Sequence, residues 1–222
     1  MMAAIDNPTR FEEMRHAMVA SQLRTSAVSD ARVVDAMANV AREDFVPEAL
    51  RSLAYRDRPL PLGGGREMNA PLATGRLLTE AVIGPRDAVL LIGAATGYAV
   101  AVIARLAARV VAVEEDAALL AMAPPSLAGT AALRMVEGPL TAGAPDQGPY
   151  DVIVVDGAVE RLPDALVAQV RVGGRIVTGL VDRGVTRLAS GERSEHGFGL
   201  FDFADMDCVV LPGFETPRGF RF

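Results

Sequence analysis

The chain has 222 residues and no lysine, so arginine carries all 22 of its fixed cationic side chains. We read that as genome composition rather than chemistry. Against 28 acidic residues they leave a net charge of −6 and a pI near 5.0. There is no basic surplus of the kind that binds a polyanion, so a nucleic-acid partner is not expected. Cys208 is the only cysteine, which excludes an internal disulfide and a cysteine metal cluster. No metal site is expected. The longest apolar segments are broken by Gly, Pro or charge well before membrane-spanning length, so no membrane partner is expected either. The N-terminus carries Asp6 and an amphipathic pattern instead of a basic and then apolar leader. Together these features point to the cytoplasm. The two histidines, His16 and His196, fall on a terminal helix and a polar loop, and neither is expected to be catalytic. Nothing in the sequence bears on oligomeric state.

A hydrophobic content of 50% and a mean hydropathy of +0.26 support a large core. The length suits one compact unit with appendages. We divide it into a helical extension with a substrate or lid segment (1–83) and an α/β core (84–222).

The chain is organised around residues 88 to 115. Ala88–Ile92 and Arg109–Val113 are unbroken apolar runs, the pattern of strands buried on both faces. Between them lie Gly93-Ala94-Ala95-Thr96-Gly97 and an apolar stretch, Tyr98 to Ala108; Glu114-Glu115-Asp116 follows the second run. This is strand, glycine turn, helix, strand and acidic tip, the first half of a nucleotide-binding sheet. Gly93 permits a sharp reversal, and Gly97 lets the helix pack close. Glu114 stands where a carboxylate can take two vicinal ribose hydroxyls. Glu115 is the competing candidate, although strand alternation should point it away. Dinucleotide sites need glycine at the position occupied here by Ala95, and no basic residue lies in the loop. A phosphate-bearing ligand is disfavoured. S-adenosylmethionine, with ribose and adenine but no phosphate, tolerates Ala95 better. A sheet whose turn binds nothing is the plain alternative.

Elsewhere, Asn7-Pro8 and Ser29-Asp30 read as helix starts. The first helix presents Phe11, Met14, Ala17 and Met18 on one face, and the second turns Val33, Val34, Met37 and Val40 inward. Leu53 to Leu62 reads as extended, Gly63-Gly64-Gly65 as a mobile loop, and residues 57 to 72 as a lid over the ligand. A helix is expected from about Leu72 to Val82. Further strands are expected at Ala132–Val136, Tyr150–Val155, Arg175–Thr178 and Cys208–Leu211. Pro163 should start a helix running to about Val170, and Thr186–Ser190 with Phe198–Phe203 should form an antiparallel pair. The fold class is therefore α/β: a Rossmann-like, mostly parallel twisted sheet with antiparallel C-terminal strands. Ligands should gather at the strand ends Gly93, Glu114, Gly138 and Asp156.

The order of pieces resembles protein-L-isoaspartate (D-aspartate) O-methyltransferases from about residue 14 to 212. The residues that carry the likeness are Arg42-Glu43-Asp44-Phe45-Val46-Pro47, Ala54-Tyr55-Arg56-Asp57, Leu60-Pro61-Leu62-Gly63, Ala70-Pro71, Ile92 to Tyr98, Val113-Glu114, Glu137-Gly138 and Gly173-Gly174-Arg175. The Phe-Val-Pro and Ala-Tyr-x-Asp pieces are the more specific ones. The resemblance implies an S-adenosylmethionine-dependent methyltransferase acting on the α-carboxylate of L-isoaspartyl residues in damaged peptides and proteins. It implies cofactor contacts at Gly93, Ala94, Ala95, Thr96, Gly97, Tyr98, Glu114, Glu115, Gly138, Leu140 and Asp156. Several positions depart from the family. Asn69 stands where the family has a Ser facing the substrate carboxylate, and it is the candidate catalytic residue here. Leu91 replaces a usual acidic residue. Pro139 replaces an Asp near adenine, leaving only the Leu140 N–H for that ring. Asp156 stands at the fourth strand tip, where a Thr or Asn is usual. Another substrate, a non-catalytic methyltransferase-fold binding module and a nicotinamide enzyme are the alternatives, the last disfavoured by Ala95.

Overall fold

The computed structural model describes residues 8–127 and 132–216. Helix α1 (Pro8–Met18) continues into one π-turn at Val19–Leu23, and α2 (Ala31–Asn39) follows. Asp30 caps α2, its carboxylate accepting from the Arg32 N–H at 2.8 Å. Val33, Val34, Met37 and Val40 are all buried. Ala17 is exposed, so the inward face of α1 is narrower than the sequence pattern suggests. The Asn7 cap lies outside the described residues. Short 3-10 turns at Arg42–Phe45 and Glu48–Leu53 lead to a hairpin of β1 (Leu60–Gly63) and β2 (Arg66–Met68), then α3 (Pro71–Ala81). The extended reading of Leu53 to Leu62 therefore holds only from Leu60, where pairing with Met68 begins. Gly63-Gly64-Gly65 is the hairpin turn, and all three residues have positive φ.

The main sheet is built from β3 (Ala88–Ile92), β4 (Arg109–Glu114), β5 (Leu133–Glu137), β6 (Tyr150–Val159), β7 (Val170–Asp182), β8 (Val185–Glu192) and β9 (Phe201–Asp205), with α4 (Tyr98–Ile103), α5 (Ala117–Ala121) and α6 (Asp164–Val167) between them. Its order is β5-β4-β3-β6-β7-β8-β9. Strands β5 to β7 of that order run parallel, and β8 and β9 are antiparallel. The order reverses at β3, so the ligand crevice of such a sheet opens at the carboxyl ends of β3, β4 and β6.

Alternation splits the core in two. Val89, Leu91, Val110, Ala112, Val152 and Val154 pack with Leu23, Met37, Leu60, Leu62, Met68 and Leu77 of the N-terminal segment. Leu90, Ile92, Val111, Val113, Ile153 and Val155 pack with Leu140, Leu166, Leu211 and Phe214 on the other face. The N-terminal helices and the hairpin thus share a core with the sheet.

Several elements differ from the sequence reading. Strand β6 runs past Val155 to Val159, and β9 spans Phe201–Asp205 rather than Phe198–Phe203. Helix α6 is only four residues long, because Val170 already pairs with Tyr150 in β7. Strand β7 runs straight through Gly173-Gly174; a Cβ on Gly174 would lie 2.7 Å from the Asp151 carbonyl oxygen, so the close strand approach needs glycine there. Cys208–Leu211 is no strand but a segment joined at one parallel bridge, Ala158 to Val210. The Ala158 N–H donates to the Val209 carbonyl, and the Leu211 N–H donates to Ala158 at 2.9 Å.

Candidate active site

The turn after β3 is tied to β4. The N–H groups of Gly93 and Ala94 both donate to the Val113 carbonyl at 3.1 Å. Gly93, Ala95 and Gly97 all have positive φ, at 80°, 49° and 99°. That conformation suits glycine at both ends of the turn and strains Ala95.

Glu114 sits under this turn, fully buried. Its Oε2 accepts from the Ala95 N–H at 2.7 Å, and its Oε1 accepts from the N–H groups of Glu115 at 3.0 Å and Asp116 at 3.1 Å. Three backbone amides therefore aim the carboxylate. Its remaining capacity is taken by Arg66 of β2, whose Nη1 lies 2.5 Å from Oε1 and Nη2 3.0 Å from Oε2. This is a buried, two-pronged guanidinium–carboxylate pair. Beside it, a cleft of about 400 Å³ opens between the hairpin tip, Glu115, Asp116 and the C-terminal residues Val210 to Pro212 and Glu215. Glu115 is exposed along that cleft, as alternation requires. Gly138 has open space where a side chain would stand. Leu140 is buried in the far-face core, leaving only backbone to offer.

The side chains of Thr96 and Tyr98 are turned away from the cleft. Thr96 donates to the Phe45 carbonyl at 2.6 Å. The Tyr98 ring meets Phe45 edge-on at 5.8 Å and lies under the Arg42 guanidinium at 4.5 Å. Burial raises the Tyr98 hydroxyl pKa against the opposing pull of Arg42. Any contribution these two residues make to a ligand comes from their backbone.

Asn69 and Asp156 form one network rather than two separate sites. The Asn69 amide nitrogen donates to the Asp156 carbonyl at 3.0 Å and to its Oδ1 at 2.9 Å, and the Asn69 oxygen accepts from the Val209 N–H at 2.9 Å. Thr74 adds a bond to Asp156 Oδ1 at 3.1 Å. Burial pushes the Asp156 pKa up, although the bonds from Asn69 and Thr74 and the nearby Arg42 charge oppose it. The Asn69 amide nitrogen is directed at Asp156, so in this arrangement it does not face a substrate carboxylate. Asn69 instead fastens β2 to β6 and the C-terminal segment.

Sequence reasoning missed Arg66 and Leu211. Leu211 packs against the turn: a Cβ on Gly93 would lie 2.9 Å from its Cδ1. Only the glycine-rich approach to Arg66 hinted at a device there. Nothing in local spacing links it to Glu114, 48 positions away.

The donor set suits an adenosyl group. Glu114 presents two oxygens at the tip of β4, and a ribose diol would donate to the same two that Arg66 now holds. The fit requires Arg66 to leave. Among the described residues no cluster of three or more His, Cys, Asp or Glu could hold a metal ion. No helix among them is long and apolar enough to cross a membrane.

A family model described as protein-L-isoaspartate(D-aspartate) O-methyltransferase matches residues 13–199. A protein-L-isoaspartate O-methyltransferase of Methylorubrum extorquens is 39% identical over 214 residues, covering 92% of this chain and 93% of that protein. One from Koribacter versatilis is 40% identical over 178 residues, covering 79% and 80%. A Plasmodium falciparum protein described as a putative protein-L-isoaspartate O-methyltransferase, solved with S-adenosyl-L-homocysteine, superposes with a TM-score of 0.77 over 89% of this chain and 97% of its own, at 18% identity.

Proposed function

Because the chain belongs to the protein-L-isoaspartate(D-aspartate) O-methyltransferase family, we propose that it methylates the α-carboxylate of L-isoaspartyl residues in damaged peptides and proteins. The observation that carries the reading is the amide-aimed Glu114 carboxylate beneath the Gly93–Gly97 turn. S-adenosylmethionine supplies, when bound, a methyl group made electrophilic by its sulfonium. Glu114 would hold the ribose, the Gly93–Gly97 and Gly138–Leu140 backbones would line the nucleoside, and Glu115 and Asp116 would border it.

The acceptor is an ionised carboxylate at neutral pH, so the chain needs no general base. Its work is to orient two reactants in line and to exclude water. The hairpin tip and the Val209–Leu211 segment supply the walls. The absence of a catalytic histidine or cysteine is compatible with this chemistry. We place the protein in the cytoplasm, where the substrate class and a lone buried thiol are both at home. The reading is tested by methyl transfer to an isoaspartyl peptide and its aspartyl twin, with transfer expected to the first alone.

One observation favours a second reading. Asp156 places its carboxylate at the irregular stretch of β6 between Val154 and Ala158, within the polar network around Asn69. An acid at that place suits an acceptor other than a carboxylate. Methylation of a different small or peptidic substrate, with none on the isoaspartyl peptide, would support it.

A further inference from the structure

The two nitrogens of Arg66 take both Glu114 oxygens, the same two that a vicinal diol would take. The pair is sealed, with Arg66 8% exposed and Glu114 not at all. Guanidinium and ribose each donate two hydrogens to one carboxylate, so they exclude one another. We propose that Arg66 is the substrate-carboxylate-binding residue of this chain, held on Glu114 until the cofactor ribose displaces it. The inference rests on the methyltransferase reading above.

The surroundings allow the exchange. Leu60, Leu62 and Met68 anchor the base of the hairpin in the core. Gly63, Gly64 and Gly65 form its tip with φ of 104°, 57° and 77°, so the tip can turn while the base stays. When Arg66 leaves, Glu114 keeps the amides of Ala95, Glu115 and Asp116. Among the described residues the Arg66 guanidinium donates to Glu114 alone. Once displaced, it needs another anion or full hydration. Asp116 caps α5 through Oδ1, accepting from the Ala118 N–H at 2.8 Å, which fixes its side chain with Oδ2 beside Gly64 of the tip. Glu115 is exposed, and an ion pair in water is a weak competitor. Glu215 borders the same cleft but is exposed like Glu115. The carboxylate that the reaction itself brings enters as the cleft closes to water, and a planar fork matches it bidentately. The Asn69 amide is already directed at Asp156. The ester product is uncharged and no longer holds a guanidinium. Arg66 then returns to Glu114 and drives the nucleoside out.

Calorimetry on the full chain tests the exchange, using S-adenosylhomocysteine and an isoaspartyl peptide as probes with wild type, Arg66→Gln and Arg66→Lys. Arg66→Gln should bind S-adenosylhomocysteine at least about fivefold tighter, the lower end of ordinary coupling between sites. Wild-type affinity for the peptide should rise at least about fivefold when S-adenosylhomocysteine is present, and Arg66→Gln should lose that gain. Arg66→Lys keeps the charge without the fork and should fall between, which keeps the test decisive if the Gln variant fails to fold. Weaker or unchanged nucleoside binding in Arg66→Gln, or peptide binding indifferent to the nucleoside in wild type, would overturn the inference. Nucleoside-gated peptide binding without methyl transfer by the wild type would instead overturn the activity reading and leave Arg66's role standing.

Discussion

Replacing Glu114 by Gln should damage the fold more than replacing its partner Arg66 by Gln, and the difference follows from the donor count. The Glu114 oxygens receive two guanidinium nitrogens and three backbone N–H groups. A glutamine offers one oxygen and one NH2, so whichever way it turns, a donor faces donors, and Arg66 is left without its counter-charge. Breaking a buried ion pair from one side costs about 3–5 kcal/mol. Arg66→Gln leaves a carboxylate that three amides still hold, and the loss should be nearer 1–3 kcal/mol, the scale of a charge-assisted hydrogen bond. Denaturant unfolding of both variants and of the double variant gives the comparison. The double variant should be more stable than Glu114→Gln with Arg66 intact, because no unpaired guanidinium remains. For a chain of this length each kcal/mol moves Tm by about 2–4 °C, so the single-variant difference is measurable. An Arg66→Gln loss equal to or larger than that of Glu114→Gln would refute the view that the amides hold Glu114 and that Arg66 is the displaceable member.

Other positions make sharper local tests. Burial holds the Asp156 pKa above its ordinary value despite Asn69 and Thr74, so its stabilising contribution is present at low pH and lost as pH rises through the folded pKa. Asp156→Asn should therefore be more stable than wild type at neutral pH in urea titration, and the advantage should vanish below about pH 3.9; an advantage independent of pH would contradict the assignment. A Cβ on Gly157 would press on Leu211, with Cδ2 at 2.9 Å, so Gly157→Ala should cost about 1–3 kcal/mol by overpacking. Adding Leu211→Ala should relieve part of that cost in a double-mutant cycle, and simple additivity would count against the contact. Cys208 is buried and its thiol pKa is pushed up, by burial first and by the Asp156 charge second, so a thiol reagent should label it only after denaturant unfolds the chain. Rapid native labelling would show that the C-terminal segment opens.

The central half of the fold was legible because its strands are buried on both faces. Ala88–Ile92 and Arg109–Val113 show no alternation, the pattern of a parallel sheet covered on both sides, and the glycine turn and helix between them tie the two runs into one unit. Glu114 was legible for the same reason, standing one residue past such a run. Arg66 was not, because the contact that defines it spans 48 positions and depends on where the hairpin folds back. Asn69 was legible as a special position but not in its role; the partners that engage it, Asp156 of β6 and Val209 of the C-terminal segment, are distant in sequence. The apolar run Cys208–Leu211 reads like a strand, yet only Val210 bridges to Ala158, since Leu211 is drawn in against Gly93 and Gly157. Short apolar runs do not distinguish a paired strand from a packed strap.

The most direct test of the account is radiolabelled methyl transfer from S-adenosylmethionine to a peptide carrying one L-isoaspartyl residue, set beside the same peptide with ordinary aspartate. Label is expected on the isoaspartyl peptide alone, released as methanol in base as a methyl ester must be. Equal labelling of both peptides, or none on either while S-adenosylhomocysteine binding is demonstrated by calorimetry, would contradict it.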